Sequence, residues 1–223
     1  QGWLRYGNVL QALGDLSQSE EILNKSLEFA RSVKAVNIGS NALLSLGNIA
    51  LTQTYTQLSL DNSKGAKKYA TAAIEYYQQA AKTASTIPTI GVQAQLNQLR
   101  LLVEIEENEG KFTRAKALLP EIQSQIDNLP PSRTAVNIRI NFAQSLSKMI
   151  TSNVKVEDIA QMLAQAVQMA QNLKDERSES YALGSLGKLY EQTGQLSAAQ
   201  TLAQQALVKA ESIDARDIAY QWH

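Results

Sequence analysis

The reactive groups in this chain are few: an acidic run of Glu104, Glu106, Glu107 and Glu109, a single histidine, His223, and scattered serines. Paired carboxylates can act as general acid and base or hold calcium, but calcium needs an oxygen-rich loop with a glycine-centred turn, which this run lacks. The run therefore reads as a solvated helix face. His223 is terminal, with no Cys, Asp or Glu cluster at metal-ligand spacing, so it reads as incidental and no metal site is expected. Without an available histidine or a nucleophile-elbow motif, no serine is a credible nucleophile. The glycines are dispersed rather than gathered into a phosphate cradle. No catalytic residue and no cofactor is expected, and the chain reads as a non-enzyme.

The framework that must position any binding group is helical. Of 223 residues, 44% are hydrophobic but only 6% aromatic, and Ala, Leu and Gln dominate, which favours helices over sheets. Basic and acidic side chains number 21 each, so no general field attracts nucleic acid, and no basic patch stands out. The absence of Cys removes disulfides and thiol chemistry and leaves the compartment undecided by redox chemistry. No apolar run approaches the ~18 to 20 residues that cross a bilayer, so no membrane span is expected and the assigned location is cytoplasmic. The chain opens on Gln1 without a basic-then-apolar leader, from which a longer parent chain is expected.

The stretch 181–207 states the architecture most openly. Leu183, Leu186, Gly187 and Tyr190 share one helix face, with Gly187 placed for close approach of a neighbouring helix. Gly194 breaks the pattern as a left-handed residue at a helix end does, and a second helix is expected to open near Ser197 as its cap. Ala199, Ala203, Ala206 and Leu207 then share a face. This hairpin resembles the tetratricopeptide repeat (TPR) in its large-x2-Leu-Gly-x2-Tyr, Gly, Ala and Ala-Leu positions. It departs at Ala203, where the family carries an aromatic residue, so thinner packing is expected there.

The same spacing recurs along the chain. Trp3, Tyr6, Gly7, Leu10 and Gly14 form one copy, and Leu43, Leu46 and Gly47 begin another. Gly47 to Ala73 spans 26 residues where Gly187 to Ala199 spans 12, so the second unit is enlarged and both its helices are expected to be long. Residues 61–65 read as its turn, and Tyr69, Ala73, Tyr76, Tyr77 and Ala80 as a packing stripe. Pro88 ends one unit, Pro120 is expected to kink a helix, and residues 129–132 make the clearest break. Aligning Asp214 with Asp175 sets Trp222 at the phase of Leu183 and Trp3. The reading is an all-α, right-handed superhelical solenoid of antiparallel helix hairpins with a period of about 40 residues. It is a single domain over 1–223, with hairpins at about 2–32, 34–84, 89–127, 132–173 and 176–212 and a partial helix over 214–223. Both ends are expected to expose apolar side chains and to self-associate.

The resemblance implies a concave face lined by the first helix of each hairpin, with the residue after the signature glycine pointing into it. That position holds Asn8, Asn48 and Lys188. An Asn amide offers both a donor and an acceptor to an extended peptide, and Arg5 and Arg100 add charge for a carboxylate. The family's carboxylate-clamp pattern is not reproduced, because Leu4 stands where a basic residue is expected.

Residues 139–146, 180–200 and 215–223 are further similar to the helical amino-terminal region of cyanobacterial CHAT-domain proteins, in which a TPR array precedes a caspase-like peptidase. That resemblance implies a sensing or recruiting arm of a protease. It carries over no catalytic residue, because this chain has no Cys. The function expected is a protein-interaction scaffold that binds a peptide or partner helix in its concave groove. The rival is a regulatory switch that responds to a signalling peptide or small molecule.

Overall fold

A computed structural model describes residues 1–222, the side chains of Asn108 and Glu109 apart; His223 lies outside the described residues. The chain divides into two compact units, residues 1–104 and 105–223, with the boundary inside one helix. All described regular structure is helical.

The first unit contains α1 (Gly2–Ala12), α2 (Leu16–Ser32), α3 (Val36–Ser59), α4 (Ser63–Thr83) and most of α5 (Pro88–Glu109). Gly14, at φ +85°, makes the α1–α2 turn, and the Asp15 carboxylate caps α2 by accepting from the Gln18 N–H at 3.1 Å. Both helices of the enlarged hairpin, α3 and α4, are long, as expected. Their turn is tighter than read from sequence: Asn62 caps α4 through the Gly65 N–H at 3.0 Å, so residues 63–65 already belong to the helix. The core joins Leu23 and Leu27 of α2 to Leu43, Leu46 and Ile49 of α3 and Ala80 of α4. Tyr77 is fully buried, and a Cβ on Gly47 would lie 2.5 Å from its ring. The stripe on α4 is thus packing, and Gly47 is glycine because the ring occupies the side-chain space.

The second unit runs from the end of α5 through α6 (Thr113–Asp127), α7 (Arg133–Ser147), a 3-10 turn (Ile150–Ser152), α8 (Val156–Asn172), α9 (Glu176–Gln192), α10 (Leu196–Ser212) and α11 (Arg216–Ala219), with a closing 3-10 turn (Tyr220–Trp222). Ser132 and Asp175 cap α7 and α9. Ser197 does not cap α10: the cap position is Gln195, which makes no side-chain capping bond. Gly187 sits against α10, where a Cβ would meet the Ala199 carbonyl at 3.3 Å, Leu202 Cβ at 3.4 Å and the Ala203 N at 3.5 Å, so the two helices approach closely there. Pro120 lies inside α6. The buried Arg139 guanidinium donates to the Ile126 carbonyl at 3.0 Å, joining α7 to the end of α6 and meeting that helix's negative pole.

Two further expectations fail for definite reasons. Glu106 is not solvated: it is buried, and its carboxylate accepts from the Arg114 and Ala115 N–H groups at 3.0 and 3.1 Å and from Arg114 Nε at 2.8 Å. It caps α6 because Phe112, at the cap position, has no side chain that can. The phase of Trp222 is also one residue off. Lys34, Lys174 and Asp214 all adopt left-handed φ (54°, 53° and 51°) between hairpins, and the next N–H in each case bonds back five residues. Asp214 is therefore the counterpart of Lys174, not Asp175, and Trp222 is buried at the phase of Ala182.

Candidate functional site

In the first unit, one face of α3 meets one face of α5 through a polar ladder. Asn48 and Tyr55 are seven apart on α3, while Gln93, Asn97, Arg100 and Glu104 recur at threes and fours on α5, so each set shares a helix face. The Asn48 Oδ1 accepts from the Tyr77 hydroxyl at 2.9 Å and from Asn97 Nδ2 at 3.0 Å, and Asn97 Oδ1 accepts from Gln93 Nε2 at 2.9 Å. Two turns further on, the Tyr55 hydroxyl donates to Glu104, which also accepts from Arg100 Nε at 3.4 Å. Burial, then the hydrogen bond to the Glu104 carboxylate, pushes the Tyr55 hydroxyl up to about 12. Burial also raises Tyr77. Both phenols are therefore neutral donors at physiological pH.

This geometry fixes what Asn48 can offer. Its oxygen is taken twice by internal donors, so the group it can present outward is its Nδ2, which donates only. The expected choice between donor and acceptor is removed by Tyr77 and Asn97. Arg100 is well exposed despite its contact with Glu104.

Of the five residues singled out from sequence, Asn48 and Arg100 are brought to the same pair of helices. Arg5 and Asn8 lie exposed on α1, and no side-chain hydrogen bond among the described residues involves them. Lys188 belongs to the second unit, where its Nζ lies 4.8 Å from the centre of the Trp222 ring, a cation–π contact. Sequence reasoning missed Asn97, Tyr55 and Tyr77. The available signal was the spacing: Asn48–Asn97 and Tyr55–Glu104 are both 49 residues apart, the repeat of about 40 lengthened by the enlarged unit.

In the second unit, neighbouring first helices are joined in the same way at shorter spacing. Gln144 Nε2 donates to Ser185 Oγ at 3.1 Å, Arg133 pairs with Asp175 at 2.6 Å, Arg177 pairs with Asp217, and Gln221 Nε2 donates to the Tyr181 hydroxyl at 3.3 Å. These separations of 40 to 42 residues express the repeat length directly. A cleft of about 300 Å³ lies beside Trp222, bounded by Gly184, Gly187, Ala199 and Ala203. Among the described residues, no group of three or more His, Asp or Glu could hold a metal ion, and no helix is long and apolar enough to cross a membrane.

Residues 1–32 match the tetratricopeptide repeat family. No curated protein matches the chain. Among solved structures, BtubC (BKLC) from P. vanneervenii is similar with a TM-score of 0.66 at 16% sequence identity, over 93% of this chain and 78% of that one. At that identity the likeness is one of fold. The family match is confined to residues 1–32, and the structural likeness agrees with an all-helical repeat fold.

Proposed function

We propose that the chain is a non-catalytic, cytoplasmic scaffold that takes an extended peptide or partner helix along the first helices of its hairpins, with α3 and α5 as the recognition centre. The observation that carries this reading is the double use of the Asn48 oxygen, which presents a fixed amide donor beside an exposed arginine. A peptide carbonyl or carboxylate is the matching group. Holding the amide in advance lowers the ordering cost of binding.

The finer reading is a recruiting arm for a caspase-like peptidase of the CHAT type. Its support is the similarity of residues 139–146, 180–200 and 215–223 to that family's helical region.

Asn48→Asp is the direct test, because it keeps an oxygen for Tyr77 and Asn97 while replacing the donor with an acceptor. Peptides selected by display against the wild-type chain are expected to bind Asn48→Asp at least ~10-fold more weakly, and Arg100→Ala several-fold more weakly, with thermal melting little changed. Equal affinity for all three proteins contradicts the proposal.

A further inference from the structure

The outermost helix of the first unit is dressed for burial on the wrong side. Only Gly7 and Leu10 of the eleven residues in α1 are buried, yet the helix carries a single charge, Arg5. Tyr6, Val9 and Leu13 recur at threes and fours on its outer face and are 51%, 54% and 77% exposed. The apolar surface continues onto α2, where Trp3 meets Phe29 edge to face at 5.8 Å with both rings half exposed, and Val33 lies one turn beyond Phe29. With aromatic side chains presenting 150–250 Å² each, these six residues expose roughly 600 Å², at the upper limit of what a monomer ordinarily shows to water.

We propose that this face is where two copies of the chain pair about a two-fold axis. The area fits: two such faces bury roughly 1,200 Å² together, the lower bound of a standard specific interface. The charge pattern fits as well. An antiparallel crossing of α1 with its copy centred at Val9 sets each Arg5 opposite the other copy's Leu13. The two guanidinium-bearing positions then stand about 12 Å apart along the axis, beyond the ~8 Å screening length at physiological salt. The apolar stripe meets itself, as a two-fold interface requires. At the carboxy-terminal end Trp222 is buried while Tyr220 is 84% exposed, so the α1 changes are what distinguish the two ends. The inference is independent of the α3–α5 recognition centre.

Sedimentation equilibrium on the 223-residue chain tests it. A monomer–dimer equilibrium with Kd in the range of about 1–100 µM is expected, weakened at least ~30-fold by Tyr6→Glu with Leu13→Glu. Should the charged pair fail to fold by circular dichroism, Tyr6→Ser with Leu13→Ser serves with the same expected direction. Leu196→Glu, an exposed change on α10, is expected to leave pairing intact. A monomer at about 1 mM overturns the proposal and assigns the face to a different protein or to another segment of a longer chain. A dimer indifferent to the α1 changes overturns it in favour of another surface. Mass that climbs without limit overturns the two-fold arrangement in favour of head-to-tail stacking.

Discussion

Helices α1 and α9 carry the same signature in the same phase, yet they live in different environments. Tyr6 and Leu186 occupy one repeat position: Tyr6 is half exposed, whereas Leu186 is buried. Only two residues of α1 are buried, against ten of the seventeen in α9, which packs on α8 and α10 and receives Trp222 on its far side. Their amino-terminal ends differ too, since Asp175 caps α9 while Gln1 makes no side-chain cap for α1. A repeat signature therefore specifies the contact inside a hairpin. The contact between hairpins is written in other residues: Gly184 instead of Leu4, and the Ser180 hydroxyl that accepts the Trp222 indole N–H at 3.0 Å.

Truncating the shared position should separate the two helices most sharply. Leu186→Ala is expected to cost about 2–4 kcal/mol by leaving a cavity, while Tyr6→Ala costs at most ~0.5 kcal/mol in the monomer, both read by urea unfolding. Equal losses would erase the distinction. Gly184→Ala should come next. Its Cβ would lie 2.4 Å from the Trp222 ring, so the ring must leave, at a cost of about 1–3 kcal/mol and with a red shift of its fluorescence. An unchanged emission maximum would place Trp222 elsewhere.

Asp175→Asn should be smaller, about 1–2 kcal/mol at neutral pH, because the exposed Arg133 contributes little through a screened pair. Burial opposes the Asp175 charge, but the hydrogen bonds from Arg133 and Ser178 outweigh it and hold the carboxyl below its ordinary value. Its contribution is thus complete above the unfolded-chain value and fades as pH falls through the lower folded one. The variant should lose part of its acid sensitivity below about pH 4. A parallel acid limb in both proteins contradicts this assignment. Gly7→Ala should be mildest. The added Cβ would sit 2.7 Å from Leu23 Cγ, so that buried side chain must shift, but α1 has few other contacts to lose and alanine's helix preference offsets about 1 kcal/mol. A loss above ~2 kcal/mol would show that α1 is clamped as tightly as α9.

The sequence made the hairpins legible because close approach of helices leaves a mark. Gly7, Gly47 and Gly187 each stand where the second helix of their hairpin lies: a Cβ would collide with Leu23 at Gly7 and with Tyr77 at Gly47, and would crowd the Ala199 carbonyl at Gly187. The long helices of the enlarged unit followed from the same spacing. What stayed hidden lacked such a mark. The left-handed turns at Lys34, Lys174 and Asp214 carry no glycine, so the phase of the last segment slipped by one residue. Glu106 looked like one acid in a solvated row, because a carboxylate that caps a helix eight residues later has no local pattern. At the candidate site, Asn48 was visible from its place after Gly47, but its orientation depends on Tyr77 and Asn97, and the latter is 49 residues away. Recognising that pair required the true length of the enlarged unit, 49 residues from first helix to first helix.

Within each unit, first helices of successive hairpins lie side by side, paired at intervals set by the repeat. The chain has no cysteine, so thiols can be placed at will. With Gln144→Cys and Ser185→Cys introduced together on α7 and α9, where the native side chains are 3.1 Å apart, a short bismaleimide should join them rapidly and shift the band on a denaturing gel. Failure to crosslink, with both thiols shown to react singly and the fold intact, would contradict the stacking on which the account of binding rests.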